Sequence, residues 1–284
     1  TIFPEYLYDP GLFFDEDGKV YVVHGQGTLY LTELNSDVKS VKGKPVKIWQ
    51  GGFKNAHELG GGFGMEGSHM YRINGKYYIT CPAGGTGGWQ ICLRSDNIYG
   101  PYEHKLIMND WSSYPENGLH QGGMVQLKNG DWWFMIMQDR GPIGRVPCLV
   151  PVKWIDGWPM LGDEGKDLIT YPKPATGKKS KIKSPATTDE FNASQLGLQW
   201  QWNHNPDNSR WSLKERKGYM RLYASQASTL KDARNTLTQR VQGPSCEGSV
   251  EMEVTGLKDG NIAGFGIFEF PMLRYDKNPV DAKL

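Results

Sequence analysis

Three stretches in the first half of the chain repeat one alternation: an acidic or polar residue, an apolar strand, a glycine turn, then a second strand rich in aromatics. They read LFFDEDGKVYVVHG from Leu12, HMYRINGKYYITC from His69 and MVQLKNGDWWFMIM from Met124. Their turn glycines, Gly18, Gly75 and Gly130, each follow Asp or Asn, the strongest short-range signature of a tight hairpin. The glycines lie 57 and 55 residues apart. That period is too long for leucine-rich or helical repeats and suits a propeller blade carrying a long outer connection. The pattern therefore predicts an all-β fold, part of a β-propeller over residues 1–170. The polar stretch 33–60 and the glycine-rich 82–88 read as loops or outer strands.

Nine residues before each turn glycine stand Asp9, Glu66 and Gln121. Equivalent positions at the start of each innermost strand of a propeller converge on its axis, so these three side chains are predicted to line one pocket. A plainer reading of the spacing stays open: Asp9 opens an Asp-Pro-Gly turn, and Glu66 belongs to the glycine-rich loop GGGFGMEGS. Three blades do not close a ring, which needs about four or more. The remaining blades are expected upstream of Thr1 or on a companion chain, since an open ring exposes strand edges and an apolar blade face.

The pattern changes over 171–187. PKPATGKKSKIKSP holds five lysines and three prolines, a linker composition that marks the domain boundary. Beyond it, QLGLQWQWNHN alternates Leu196, Leu198, Trp200 and Trp202 with polar residues, as a half-buried strand does. GYMRLYA, SVEMEVT and AGFGIFEF are further strand candidates. Residues 188–284 are thus predicted to form part of a β-sandwich.

Composition narrows the function. Lys plus Arg is 32 against 31 for Asp plus Glu, so no global field attracts nucleic acid or an anionic membrane. A neutral polysaccharide suits the chain better, and the lysines of 171–187 read as a solvated connection. The four cysteines, Cys81, Cys92, Cys148 and Cys246, are too scattered for common zinc spacings or an evident disulfide framework. No run approaches 18 apolar residues, and no basic segment followed by an apolar one opens the chain, so neither a membrane span nor a signal peptide is expected.

Residues 4–165 resemble the later blades of a family 43 glycoside hydrolase, in the group of β-xylosidases and α-L-arabinofuranosidases. The resemblance is carried by YDPGLFFDEDGKVYVVHG, MEGSHMYRINGKYYIT and HQGGMVQLKNGDWWFMIMQDRGPIGRVPCLVPVKW. Residues 189–223 resemble the start of the concanavalin-like β-sandwich attached to such enzymes. The family implies a five-bladed propeller, of which the first two blades have no counterpart here. It places Glu66 as general acid and Asp9 as the carboxylate that orients that acid and tunes its pKa. The general base, an aspartate of the first blade, matches nothing in this chain. The cluster Asp15, Glu16 and Asp17 sits at the hairpin turn, the wrong end of the strand for that role.

Further site positions follow from the same resemblance. Arg145 aligns with an arginine that contacts the sugar. Gln121 stands where many members carry a histidine near a central metal or water site; with LHQGG here, His120 comes one residue earlier and a central calcium bound in the usual way is disfavoured. Gln121 can instead bond sugar hydroxyls. His69, three residues after Glu66, is placed near the pocket by the resemblance and reads otherwise as a hydrogen-bonded structural histidine; Phe63, Trp89 and Trp111 fall in or beside the loops expected to top the blades, where flat aromatic faces either stack on sugar rings or pack. Of the paired Trp132 and Trp133, which point to opposite faces of a strand, one at least fills space between blades.

The implied function is an inverting exo-β-xylosidase or α-L-arabinofuranosidase acting on neutral plant cell-wall oligosaccharides or polysaccharides. No cofactor enters the chemistry; calcium is admitted as a structural ion. Inversion takes a protonated carboxyl and an ionised one about 6.5–9.5 Å apart. The alternative is a carbohydrate-binding or structural fragment without catalysis, because the base is missing. A secreted or periplasmic location is expected, with a cytoplasmic one also compatible.

Overall fold

The structure, a computed structural model, describes residues 6–50, 64–83, 88–109, 118–140, 144–166, 170–177, 181, 183–243 and 245–267. The chain divides into two compact units, Thr1–Lys178 and Lys179–Leu284.

The first unit contains three four-stranded antiparallel sheets, each a meander in chain order. The first blade is β1 (Gly11–Phe14), β2 (Val20–His24), β3 (Thr28–Leu34) and β4 (Val46–Gln50). The second is β5 (His69–Ile73), β6 (Lys76–Ala83), β7 (Trp89–Ser95) and β8 (Glu103–Met108). The third is β9 (His120–Gln126), β10 (Trp132–Asp139), β11 (Arg145–Ile155) and β12 (Trp158–Leu161). All three predicted hairpins form. In the second, Asn74 (φ 51°) and Gly75 (φ 78°) are the only residues between β5 and β6, the left-handed pair that a two-residue turn needs.

Blades pack face to face. Phe13, Tyr21, Val23 and Leu31 of the first meet Tyr77, Ile79, Ile91 and Leu93 of the second. Tyr78, Cys92 and Ile107 on the other face of the second meet Met124, Phe134, Ile136 and Val150 of the third. The second blade is therefore buried on both faces, which is why KYYITCPA shows no polar alternation. The two end blades each keep an uncovered apolar face, with Leu12 and Phe14 exposed on one and Val125, Met135 and Leu149 on the other. Trp133 is buried in the third blade, and Trp132 packs edge-on against Trp154, centroids 5.7 Å apart.

The acidic turn is a pin between blades. The buried Asp15 accepts from Arg72 Nη1 at 3.1 Å and from the Tyr77 hydroxyl at 2.8 Å, both in the second blade. It also accepts from the Glu16 backbone N–H at 2.8 Å. Burial and the bond to Asp15 push the Tyr77 phenol up to about 12.

In the second unit, the long strands predicted from alternation shrink to two short ladders. β13 (Gln201–Trp202) pairs with β16 (Leu237–Thr238), and β14 (Trp211–Ser212) with β15 (Arg221–Leu222). The described part of 249–267 forms no ladder among the described residues, and Leu198 is fully exposed instead of sharing a face with Trp200 and Trp202. The tryptophans pack locally: Trp200 stacks on Phe191 and donates to Asp189 at 2.7 Å, and Trp202 meets Trp211. Alternation supplies a face, but a strand persists only where a neighbour completes its hydrogen bonds.

Two predictions follow from the first unit. Asp15→Ala strands the Arg72 and Tyr77 donors and should cost about 2–4 kcal/mol in urea unfolding. Burial lowers the pKa of His24. An unfolded histidine titrates near about 6.5, so the unfolded state takes up protons first as pH falls below that value. Stability is complete above that pH and declines beneath it until the folded pKa is reached. Melting temperature should drop between pH 7 and 5, and His24→Gln should flatten part of that drop.

Candidate active site

The entries to the three innermost strands share an unusual backbone. Asp9 (φ 42°) lies two residues before β1, and Gly67 (φ 54°) two before β5, preceded by Met65 at φ 36°. Gln121 (φ 57°) is the extra residue of a bulge in β9, between His120, opposite Met137, and Gly122, opposite Ile136. Left-handed backbone at non-glycine residues is uncommon and costs energy that surrounding structure must hold in place.

The link between β2 and β3 supplies that restraint. Gly25 N–H donates to the Tyr8 carbonyl at 2.9 Å, and Gly27 N–H donates to the carbonyls of Gly64 at 3.0 Å and Met65 at 3.2 Å. Between them, Gln26 Nε2 donates to Glu66 Oε2 at 2.6 Å and lies 3.3 Å from the Tyr8 hydroxyl. The segments bearing Asp9 and Glu66 are thus tied to one loop. A Cβ placed on Gly67 would be 2.7 Å from Gln121 Nε2, and the Gln121 N–H donates to Gln90 Oε1 at 2.8 Å. Gly67, the residue after Glu66, and Gln121 are brought together, with Asp9 on the neighbouring entry. Glu66 is half-buried; the exposed Asp9 carboxylate has no hydrogen-bond partner among the described residues.

On the third blade, Asp139 and Arg145 face each other across β10 and β11. The buried Asp139 has Arg145 Nε 3.5 Å from Oδ1 and His120 Nε2 3.5 Å from Oδ2, while Arg145 remains largely exposed. His120 Nδ1 lies 2.9 Å from the Gly118 carbonyl, which only accepts, so this nitrogen carries a proton.

Two of the expected substrate-side residues are packed against protein groups. His120 is buried with both ring nitrogens turned to protein groups, Nδ1 to Gly118 and Nε2 to Asp139. Trp89 opens β7 inside the core between the first two blades and offers no face to a sugar. His69 stands at the start of β5, and desolvation pushes its pKa down. Phe63 and Trp111 lie outside the described residues. Gln26 and Asp139 were not anticipated. Gln26 carried no signal beyond its two flanking glycines, whereas the acidic Asp139 ahead of Arg145 at a hairpin end was a usable one.

Other chemistries find little support. Burial raises the Cys81 thiol to about 12 and the Cys92 thiol well above its ordinary value, so neither is a nucleophile. Among the described residues no three His, Cys, Asp or Glu side chains gather in a way that could hold a metal ion.

Residues 4–159, which contain Asp9, Glu66, Gln121 and Arg145, match the family described as Glycosyl hydrolases family 43. The chain belongs to that family. Residues 188–272 match the β-xylosidase C-terminal concanavalin A-like domain, so the second unit is part of a β-sandwich. A β-xylosidase of Formosa agariphila is 32% identical, over 96% of this chain and 55% of its own length. The non-reducing end α-L-arabinofuranosidase BoGH43B of Bacteroides ovatus is 33% identical, over 75% of this chain and 42% of its own. A solved structure described as a bifunctional GH43-CE of Bacteroides eggerthii superposes with TM-score 0.73 at 38% identity, covering 85% of this chain and 31% of that one. The chain spans about half the length of the curated relatives it matches.

Within this family 43 chain, the approach of the first two blades depends on Gly11. A Cβ there would be 2.1 Å from the Ser68 carbonyl oxygen, two residues beyond Glu66, and backbone cannot move aside cheaply. Gly11→Ala should therefore cost about 2–3 kcal/mol in urea unfolding, whereas Gly43→Ala, with nothing within 4 Å of its added methyl, should be near neutral.

Proposed function

We propose that the protein to which these blades belong is an inverting exo-glycosidase that removes xylose or arabinofuranose units from plant cell-wall oligosaccharides and polysaccharides. The observation that carries this reading is Glu66, half-buried at the entry of an innermost strand and held by Gln26 beside the segment bearing Asp9. The names of the relatives, β-xylosidase and α-L-arabinofuranosidase, support the substrate class.

In this reading Glu66 gives its proton to the glycosidic oxygen as the bond from that oxygen to the anomeric carbon breaks. Water attacks the opposite face of the anomeric carbon and loses a proton to an ionised carboxylate. That base is supplied by polypeptide beyond the three blades described, stacked on the uncovered face of Leu12 and Phe14. Asp9 orients the Glu66 carboxyl. Arg145 and Gln121 offer several donors to sugar hydroxyls, and Asp139 steadies Arg145. A structural calcium is not part of the proposal, since His120 is committed to Gly118 and Asp139. Among the described residues no helix is long and apolar enough to cross a membrane. A polymeric substrate puts the proposed site of action outside the cytoplasm or in the periplasm.

The test is Glu66→Gln in the intact protein. On xylobiose or an arabinofuranosyl oligosaccharide, kcat should fall by about 10²–10⁴ while calorimetry still detects sugar binding. Proton NMR of the wild-type reaction on a β-xyloside should show α-xylose first. Retained activity in Glu66→Gln would remove this residue from the acid role, and β-xylose as the first product would rule out inversion.

A further inference from the structure

We infer that Gln26 is a positioning residue that fixes which oxygen of Glu66 delivers the proton. The inference rests on the reading of Glu66 as general acid. Its ground is the Gly25–Gln26–Gly27 link between β2 and β3, whose shape leaves the side chain little choice. Gly25 (φ 120°) and Gly27 (φ 70°) are both left-handed, and a Cβ on Gly25 would be 2.1 Å from the Thr28 carbonyl oxygen. Both glycine N–H groups are spent on neighbouring segments, Gly25 on Tyr8 and Gly27 on Gly64 and Met65. The loop is thus bolted to the lead-ins of β1 and β5 on either side of Gln26. Its amide spans the same gap, with Nε2 donating 2.6 Å to Glu66 Oε2 and lying 3.3 Å from the Tyr8 hydroxyl.

An amide has two features that suit this position. It does not titrate in the working range, so it donates to Glu66 whether the carboxyl is protonated or ionised. In the protonated acid the better acceptor is the carbonyl oxygen, so a donor on Oε2 leaves the hydrogen on Oε1. Proton transfer then runs from Oε1 to the glycosidic oxygen, the bond to the anomeric carbon breaks, and negative charge appears on Glu66. The Gln26 bond becomes charge-assisted as that charge develops, and so favours the transition state over the ground state.

The experiment compares two leaving groups in the intact protein carrying Gln26→Leu, with Gln26→Ala as a second variant; Gln26 is exposed, so neither removes core packing. A xylobiose or alkyl xyloside needs its leaving oxygen protonated, whereas 2,4-dinitrophenyl xyloside departs without a proton; the matching arabinofuranosides serve if that sugar is preferred. Loss of Gln26 should lower kcat about tenfold or more on the first substrate and less than about threefold on the second, with KM little changed. Equal losses on both substrates, or none on either, would overturn the inference. Glu66→Gln run in parallel separates the two readings. If it shows leaving-group dependence and Gln26→Leu does not, only the role of Gln26 fails; if Glu66→Gln shows none, the acid assignment itself fails.

Discussion

A strand covered on both faces has no side on which to place a polar residue, and β6 is such a strand. Tyr77, Ile79 and Cys81 pack toward the first blade and Tyr78 toward the third. A shift of one residue in its register would exchange these two sets and mismatch both interfaces at once. The three blades are therefore locked to one another through the middle one. The entry segments that carry Asp9, Glu66 and Gln121 inherit their relative positions from that lock.

Packing alone leaves the strand entries free, because they lie beyond the apolar ladder. There the chain uses backbone bonds. Left-handed residues at Asp9, Met65 and Gln121 turn the main chain sharply just where a candidate polar side chain is presented. The bonds from Gly25 and Gly27 hold two of these turns, and Gln90 holds the third through the Gln121 N–H. Strain placed at such positions is consistent with a site whose geometry matters more than its local stability.

The parts legible in the sequence were those written in local order. The hairpins follow from Asp-Gly and Asn-Gly pairs, and counting back a fixed distance from each turn leads to the start of each blade's first strand, at Asp9, Glu66 and Gln121. Gln26 was invisible because its importance comes from contact with Glu66, 40 residues away across a blade boundary. His120 and Trp89 show the converse: each is the first residue of a strand that carries its side chain into the interior, which sequence spacing does not reveal. In the second unit the alternation around Trp200 was real, yet short ladders let Leu198 point to solvent.

The first two blades are tied by polar contacts at both ends of β1, and the two ties differ in kind. At the hairpin end, Asp15 binds Arg72 and Tyr77 with its carboxylate buried and both oxygens engaged. At the entry end, the bond from Gln26 to Glu66 is accessible and leaves one carboxyl oxygen uncommitted. The two contacts thus separate a buried carboxylate that fastens neighbouring blades, Asp15, from a half-buried one at the strand entries that keeps an oxygen open, Glu66.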